Sequence, residues 1–101
     1  MIGYLTVYNG VDYAAVYDYN YYISLYPDLK KAYKWNEYAL LQHFVERGMN
    51  EGRQASKNFN VYYYQRNYAD LRSAFNNHLE SYYLHYMSNG RSEKRVANKL
   101  I

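Results

Sequence analysis

Apolar and polar positions along this chain follow two different spacings. Around Asn9-Gly10 the flanks Tyr4-Leu-Thr-Val-Tyr8 and Val11-Asp-Tyr-Ala14 hold β-favouring residues in alternation. Asn-Gly supplies the positive φ angles of a type I′ turn, so the spacing predicts a short hairpin. Two-residue closure would place Tyr4, Thr6, Tyr8, Val11 and Tyr13 on one face. A lone hairpin is marginal in water and would have to pack on something; an extended linker is the alternative for residues 1–15. From Val16 onward the period becomes helical. Tyr22, Leu25, Tyr26 and Leu29 share one stripe, with Asp18 as N-cap. Pro27 followed by Asp28 suits a new helix start, which should run to about Lys34. Asn36 offers a cap for a third helix, Glu37 to Arg47, with Tyr38, Leu41, Phe44 and Val45 as its stripe. Gly48 then reads as a left-handed C-terminal residue.

This three-helix pattern occurs twice. His43, Gly48, Glu51 and Arg53 return 42 residues later as His85, Gly90, Glu93 and Arg95. Tyr21, Tyr22, Tyr26, Asp28 and Leu29 return as Tyr63, Tyr64, Tyr68, Asp70 and Leu71. A fixed period of this kind marks a supersecondary unit used twice, and one unit cannot bury its own apolar face. The expected fold is therefore mainly α: a single domain, residues 1–101, of two stacked three-helix repeats of 42-residue period. The N-terminal segment is 1–15, repeat one 16–57 and repeat two 58–101.

Composition changes the picture in one respect. Of 101 residues, 17 are Tyr, and the mean hydropathy is only -0.70. A Tyr ring fills a core while its hydroxyl stays hydrated, so a low hydropathy is compatible with a folded chain. No Cys is present, which excludes disulfides and thiolate metal sites. The net charge of +3 is too mild and scattered to argue for nucleic acid. No apolar run is long enough to span a membrane, and residues 1–15 lack the pattern of a signal peptide.

Chemistry is sparse. His43 and His85 lack a second ligand at i+4, where Arg47 and Asn89 stand, so no metal site is expected; a ring nitrogen bonded to a neighbouring carbonyl is the better reading. Asp28 and Asp70 could be a catalytic carboxylate pair, but equivalent positions in stacked repeats usually lie too far apart for glycoside hydrolysis. Bidentate pairing with Arg53 and Arg95 is the better use. No nucleophile elbow or phosphate loop appears, so no catalytic residue and no cofactor is assigned. The aromatics carry the binding expectation. Trp35, Tyr19, Tyr62 and Tyr82 fall off the repeated stripe, and Trp35 has no aromatic counterpart, since the equivalent position in the other repeat is Asn77. With Tyr38 they are the candidate ligand-binding residues, since exposed rings stack on sugars and bases or anchor interfaces.

Tyr17-Asp-Tyr-Asn-Tyr-Tyr22, Tyr26-Pro-Asp-Leu29 and His43-Phe-Val-Glu-Arg-Gly-Met-Asn-Glu-Gly-Arg53 resemble tandem Tyr-rich repeats of Gram-positive bacteria and their phages. Those repeats typically follow the catalytic domains of endolysins and autolysins. The resemblance covers about Tyr8 to Ala97; repeat two departs from it at Ala69 for Pro and at Lys94 for Gly. It implies a non-catalytic module that binds cell-wall glycan outside the cell and targets an upstream peptidoglycan hydrolase. The alternative is a protein-interaction or oligomerisation module. A homo-oligomer is expected in either case, self-associating through Gly3 to Ala15, because hairpin edges and the face of Tyr4, Tyr8 and Tyr13 would be open to a second copy.

Overall fold

In a computed structural model, residues 5–33 and 36–97 are described. The hairpin forms at the expected place. Strand β1 (Val7–Tyr8) pairs antiparallel with β2 (Val11–Asp12), Val7 opposite Asp12 and Tyr8 opposite Val11. Asn9 and Gly10 take φ of 50° and 80°, the paired positive values that a type I′ turn needs. The hairpin packs on the chain's own helices. Tyr8 and Tyr13 are buried, and the Leu5 amide donates to Glu37 at 3.4 Å. This corrects the expectation of an aromatic face offered to a second copy: both described rings are used within the chain, because two short strands are stable only against a further layer. Tyr4 lies outside the described residues.

Each repeat then supplies three helices. The first has α1 (Tyr19–Leu25), α2 (Pro27–Tyr33) and α3 (Glu37–His43); the second has α4 (Val61–Asn67), α5 (Ala69–Phe75) and α6 (Leu79–His85). All have seven residues, too short to persist alone, so caps and tertiary packing hold them. The Asp18 carboxylate accepts from the Tyr21 amide at 3.3 Å. Asn36 accepts from Ala39 at 3.0 Å, and Asn60 accepts from Tyr62 and Tyr63 at 3.1 Å each. Tyr26 is extended at φ −121°, which breaks the stripe before Pro27 and leaves Leu25 exposed.

The third helix of each repeat ends in a π-helical turn, Phe44–Gly48 and Tyr86–Gly90. Here the expected left-handed caps at Gly48 and Gly90 are corrected. Met49 and Arg91 remain right-handed helical after them, and the positive φ falls four residues later, at Gly52 (75°) and Lys94 (58°). The glycines serve close packing instead. A Cβ on Gly48 would fall onto Tyr22 Oη and lie 3.2 Å from the Phe44 ring; one on Gly90 would meet Tyr64 Oη and lie 3.1 Å from Tyr86.

The turn after each glycine is clipped back to the second helix. Arg53 reaches Asp28 with two nitrogens, at 3.4 and 3.2 Å, and Arg95 reaches Asp70 at 3.0 and 2.8 Å, the bidentate pairs expected from the repeat. Each guanidinium also covers a ring, Tyr26 at 4.8 Å and Tyr68 at 4.7 Å from the centroid. Among the described residues, His43 and His85 bond phenols rather than the carbonyls expected. His43 Nδ1 shares a hydrogen bond with Tyr22 Oη at 3.3 Å, and His85 Nδ1 with Tyr64 Oη at 2.8 Å. A buried phenol needs a partner, and each of these finds the ring nitrogen of its own repeat's histidine.

Each repeat closes on itself: the Asp18 amide donates to the Ala55 carbonyl at 2.7 Å, and Asn60 to Ala97 at 2.8 Å. Aromatic contacts join the two repeats. Tyr83 packs against Phe44 at 5.7 Å and Phe59 at 4.9 Å, and its hydroxyl donates to the Arg53 carbonyl at 2.6 Å. One continuous core results, centred on Tyr17, Tyr22, Phe44, Phe59, Tyr64 and Tyr83.

Candidate functional site

The five aromatic candidates separate. Tyr38 and Tyr62 are 54% and 50% exposed, as a binding ring requires. Tyr62 stands at the junction of the repeats beside Gly52 and Leu79. Tyr19 and Tyr82 are corrected: they are 2% and 0% exposed and belong to the core. Tyr82 sets its ring edge-on to Phe75 at 5.2 Å, and its hydroxyl donates to the Asn76 carbonyl at 2.6 Å. Trp35 lies outside the described residues. A sequence signal for this separation exists. Tyr19 and Tyr82 correspond to Val61 and Leu40, apolar and buried, whereas Tyr38 and Tyr62 correspond to Glu80 and Asn20. A Tyr whose counterpart is polar lies at the surface.

Beside Tyr38 the structure places a groove that sequence reading missed. Tyr33 at the end of α2 forms one wall. Ala39, Gln42, His43, Glu46 and Arg47, along α3 and its π turn, form the other, enclosing about 300 Å³. Residues 38, 39, 42, 43, 46 and 47 recur at i+3 and i+4, so they share one helix face. The signal was available as a difference between the repeats. Gln42, Glu46 and Arg47 become Leu84, Ser88 and Asn89 in the second, so the amide, carboxylate and guanidinium occur together in the first repeat alone.

The electrostatics are ordered by close partners. Glu46 Oε2 accepts from Tyr8 Oη at 2.5 Å and from Gln42 Nε2 at 3.3 Å. The Tyr8 bond first, then that of Gln42, holds the Glu46 carboxyl below its ordinary range and keeps it ionised. The His43 ring lies 5.6 Å from that of Tyr33, tilted by 41°. Burial, assisted by the nearby Arg53 charge, pushes its pKa down, so the imidazole is neutral at physiological pH. Arg47 is exposed at the rim. The groove thus combines a fixed anion, a cation, an amide and two ring faces. That set can hydrogen-bond a polyhydroxylated ligand in more than one direction while packing its C–H faces.

Among the described residues, no group of three or more His, Asp or Glu is placed to hold a metal ion, and no helix is long and apolar enough to cross a membrane. Comparison with known proteins finds no matching family model, no matching curated protein and no matching solved structure.

Proposed function

We propose that this chain is a non-catalytic glycan-binding module that holds an attached peptidoglycan hydrolase on the Gram-positive cell wall, with the groove between α2 and α3 as its sugar site. The observation that carries this reading is the grouping of Gln42, Glu46 and Arg47 against Tyr33, with Tyr38 exposed beside them. It is supported by the likeness of the repeats to those that follow wall-lytic domains. A shallow polar groove binds one sugar weakly, since each net hydrogen bond contributes only about 1 kcal/mol. Weak sites suffice when the ligand is a repetitive insoluble polymer and the catalytic domain needs only a raised local concentration. On this reading the module works outside the cell, next to a catalytic domain.

Pull-down on purified Gram-positive sacculi tests it. The wild-type chain should co-sediment, and the Gln42→Ala/Arg47→Ala variant, which truncates a half-buried and an exposed side chain outside the core, should stay folded and remain in the supernatant. Equal sedimentation of both would remove the groove from the reading; no sedimentation of either would remove the wall.

A second reading, self-association, retains one observation in its favour. Val7 and Val11 on the hairpin are 48% and 42% exposed beside a strand edge. Light scattering on the whole chain, with a Val7→Lys/Val11→Lys variant beside it, distinguishes a dimer held by this edge from a monomer.

A further inference from the structure

A residue that belongs to neither repeat completes the groove. Tyr8 ends β1, its ring lies 5.7 Å from that of Tyr38, and its hydroxyl donates to Glu46. Gln42 donates to the same carboxylate oxygen. Oε2 of Glu46 therefore carries two donors, while no donor among the described residues reaches Oε1. An unheld surface glutamate samples many rotamers and loses that freedom when it binds. Two donors on one oxygen restrict the carboxylate before a ligand arrives. The second repeat has no such arrangement: Ser88 replaces Glu46, and Glu80 replaces Tyr38 and accepts from Asn50 at 3.2 Å.

We propose that Tyr8 is a positioning residue for sugar recognition, holding Glu46 as a fixed acceptor for the hydroxyl of a neutral glycan, so that the hairpin and the first repeat form one binding site. The inference rests on the glycan-binding reading above. The chemistry selects the ligand class. A held carboxylate accepts strongly from a hydroxyl or amide N–H but repels phosphate. The exposed Tyr38 ring beside it provides an apolar face for the C–H side of a sugar. A neutral, hydroxyl-rich backbone fits this pair, and a polyphosphate chain does not.

The test uses the full chain as wild type, Tyr8→Phe, Glu46→Gln and the double variant. Tyr8→Phe keeps the ring that packs on Tyr38 and removes only the hydroxyl. The probe is Gram-positive sacculi stripped of secondary polymers. Binding should weaken by about fivefold to tenfold in each single variant and no further in the double, because both remove one coupled interaction. A second readout is the Glu46 carboxyl titration followed by carbon NMR. The groups around it are Tyr8 from the hairpin, Tyr33 from α2, and Tyr38, His43 and Arg47 on its own helix. Its midpoint should move up in Tyr8→Phe, and the acid loss of binding should move with it. Wild-type binding by Tyr8→Phe, with Glu46→Gln impaired, would overturn the positioning role and leave the groove reading intact. An unmoved Glu46 midpoint would also overturn it. A wild-type chain that binds whole sacculi but ignores stripped ones would overturn this choice of ligand alone, and one that ignores both would overturn the glycan-binding reading as well.

Discussion

Gly48 and Tyr22 meet where no side chain can be added. The phenol oxygen of Tyr22 occupies the space a Cβ on residue 48 would need, and the Phe44 ring closes the other side at 3.2 Å. Gly90 and Tyr64 repeat the contact, with Tyr86 at 3.1 Å. The phenol cannot withdraw easily, since Tyr22 is wholly buried and bonded to His43. Gly48→Ala and Gly90→Ala should each destabilise the domain by about 1–3 kcal/mol through overpacking. Urea melts of each variant measure this, and a midpoint unchanged in both would remove the close-packing account.

Tyr17 and Phe59 hold the same place in the two repeats, but only one has a hydroxyl. Tyr17 Oη is buried without a hydrogen-bond partner among the described residues, and burial pushes its pKa well up. An orphaned buried hydroxyl costs about 1–3 kcal/mol of desolvation. Tyr17→Phe should therefore stabilise the domain by about 1 kcal/mol, following the solution already present at Phe59. A loss of stability in thermal or urea melts would mean that the hydroxyl is satisfied.

Lys94 adopts φ of 58° where the first repeat uses Gly52 at 75°. A non-glycine residue there carries left-handed strain, partly offset because glycine loses more entropy on folding. Lys94→Gly should stabilise by about 0.5–1 kcal/mol. Ala69→Pro should add about 0.4–1 kcal/mol, since Tyr68 is already extended at φ −130° and the first helical amide needs no partner. Gly52→Ala should do the reverse, because its Cβ would strike the Tyr62 phenol. Three melts, compared with wild type, settle the set.

Stability should decline with acid in two steps. His43 has its folded pKa below the ordinary 6.5, first through burial and then through Arg53. The unfolded chain therefore binds that proton more readily. The contribution is full above about 6.5 and is lost as pH falls through the folded value. Asp28 and Asp70 sit below the ordinary 3.8, chiefly through their hydrogen bonds to Arg53 and Arg95. Their contribution is full above that value and is lost only on further acidification. Melting temperatures from pH 8 to pH 3 should show the first decline just below about 6.5, absent in His43→Gln, and the second below about 4, reduced in Asp28→Asn/Asp70→Asn. A flat profile between pH 7 and 5 in the wild type would remove the His43 step.

Short-range chemistry and repetition determined a large part of this protein in the sequence itself. Asn9-Gly10 defined a turn, Asp18 and Asn36 defined helix starts, and Pro27 defined a boundary, because each acts on backbone groups within a few residues. The period of 42 paired Asp28 with Arg53 and Asp70 with Arg95, since matched identities at matched spacing imply matched contacts. Only the tertiary structure decided what depends on distance across the chain. It moved the left-handed position from Gly48 to Gly52, because the π turn carries the helix past the glycine and a phenol from α1 claims the glycine's open side. It buried Tyr19 and Tyr82, because a ring's exposure follows from which helix lies over it. It brought Tyr8 to Glu46, 38 positions away. No local preference encodes that last contact: it exists because a hairpin too small to stand alone had to lie on the chain's own helices, which brought the Tyr8 phenol to the Glu46 carboxylate.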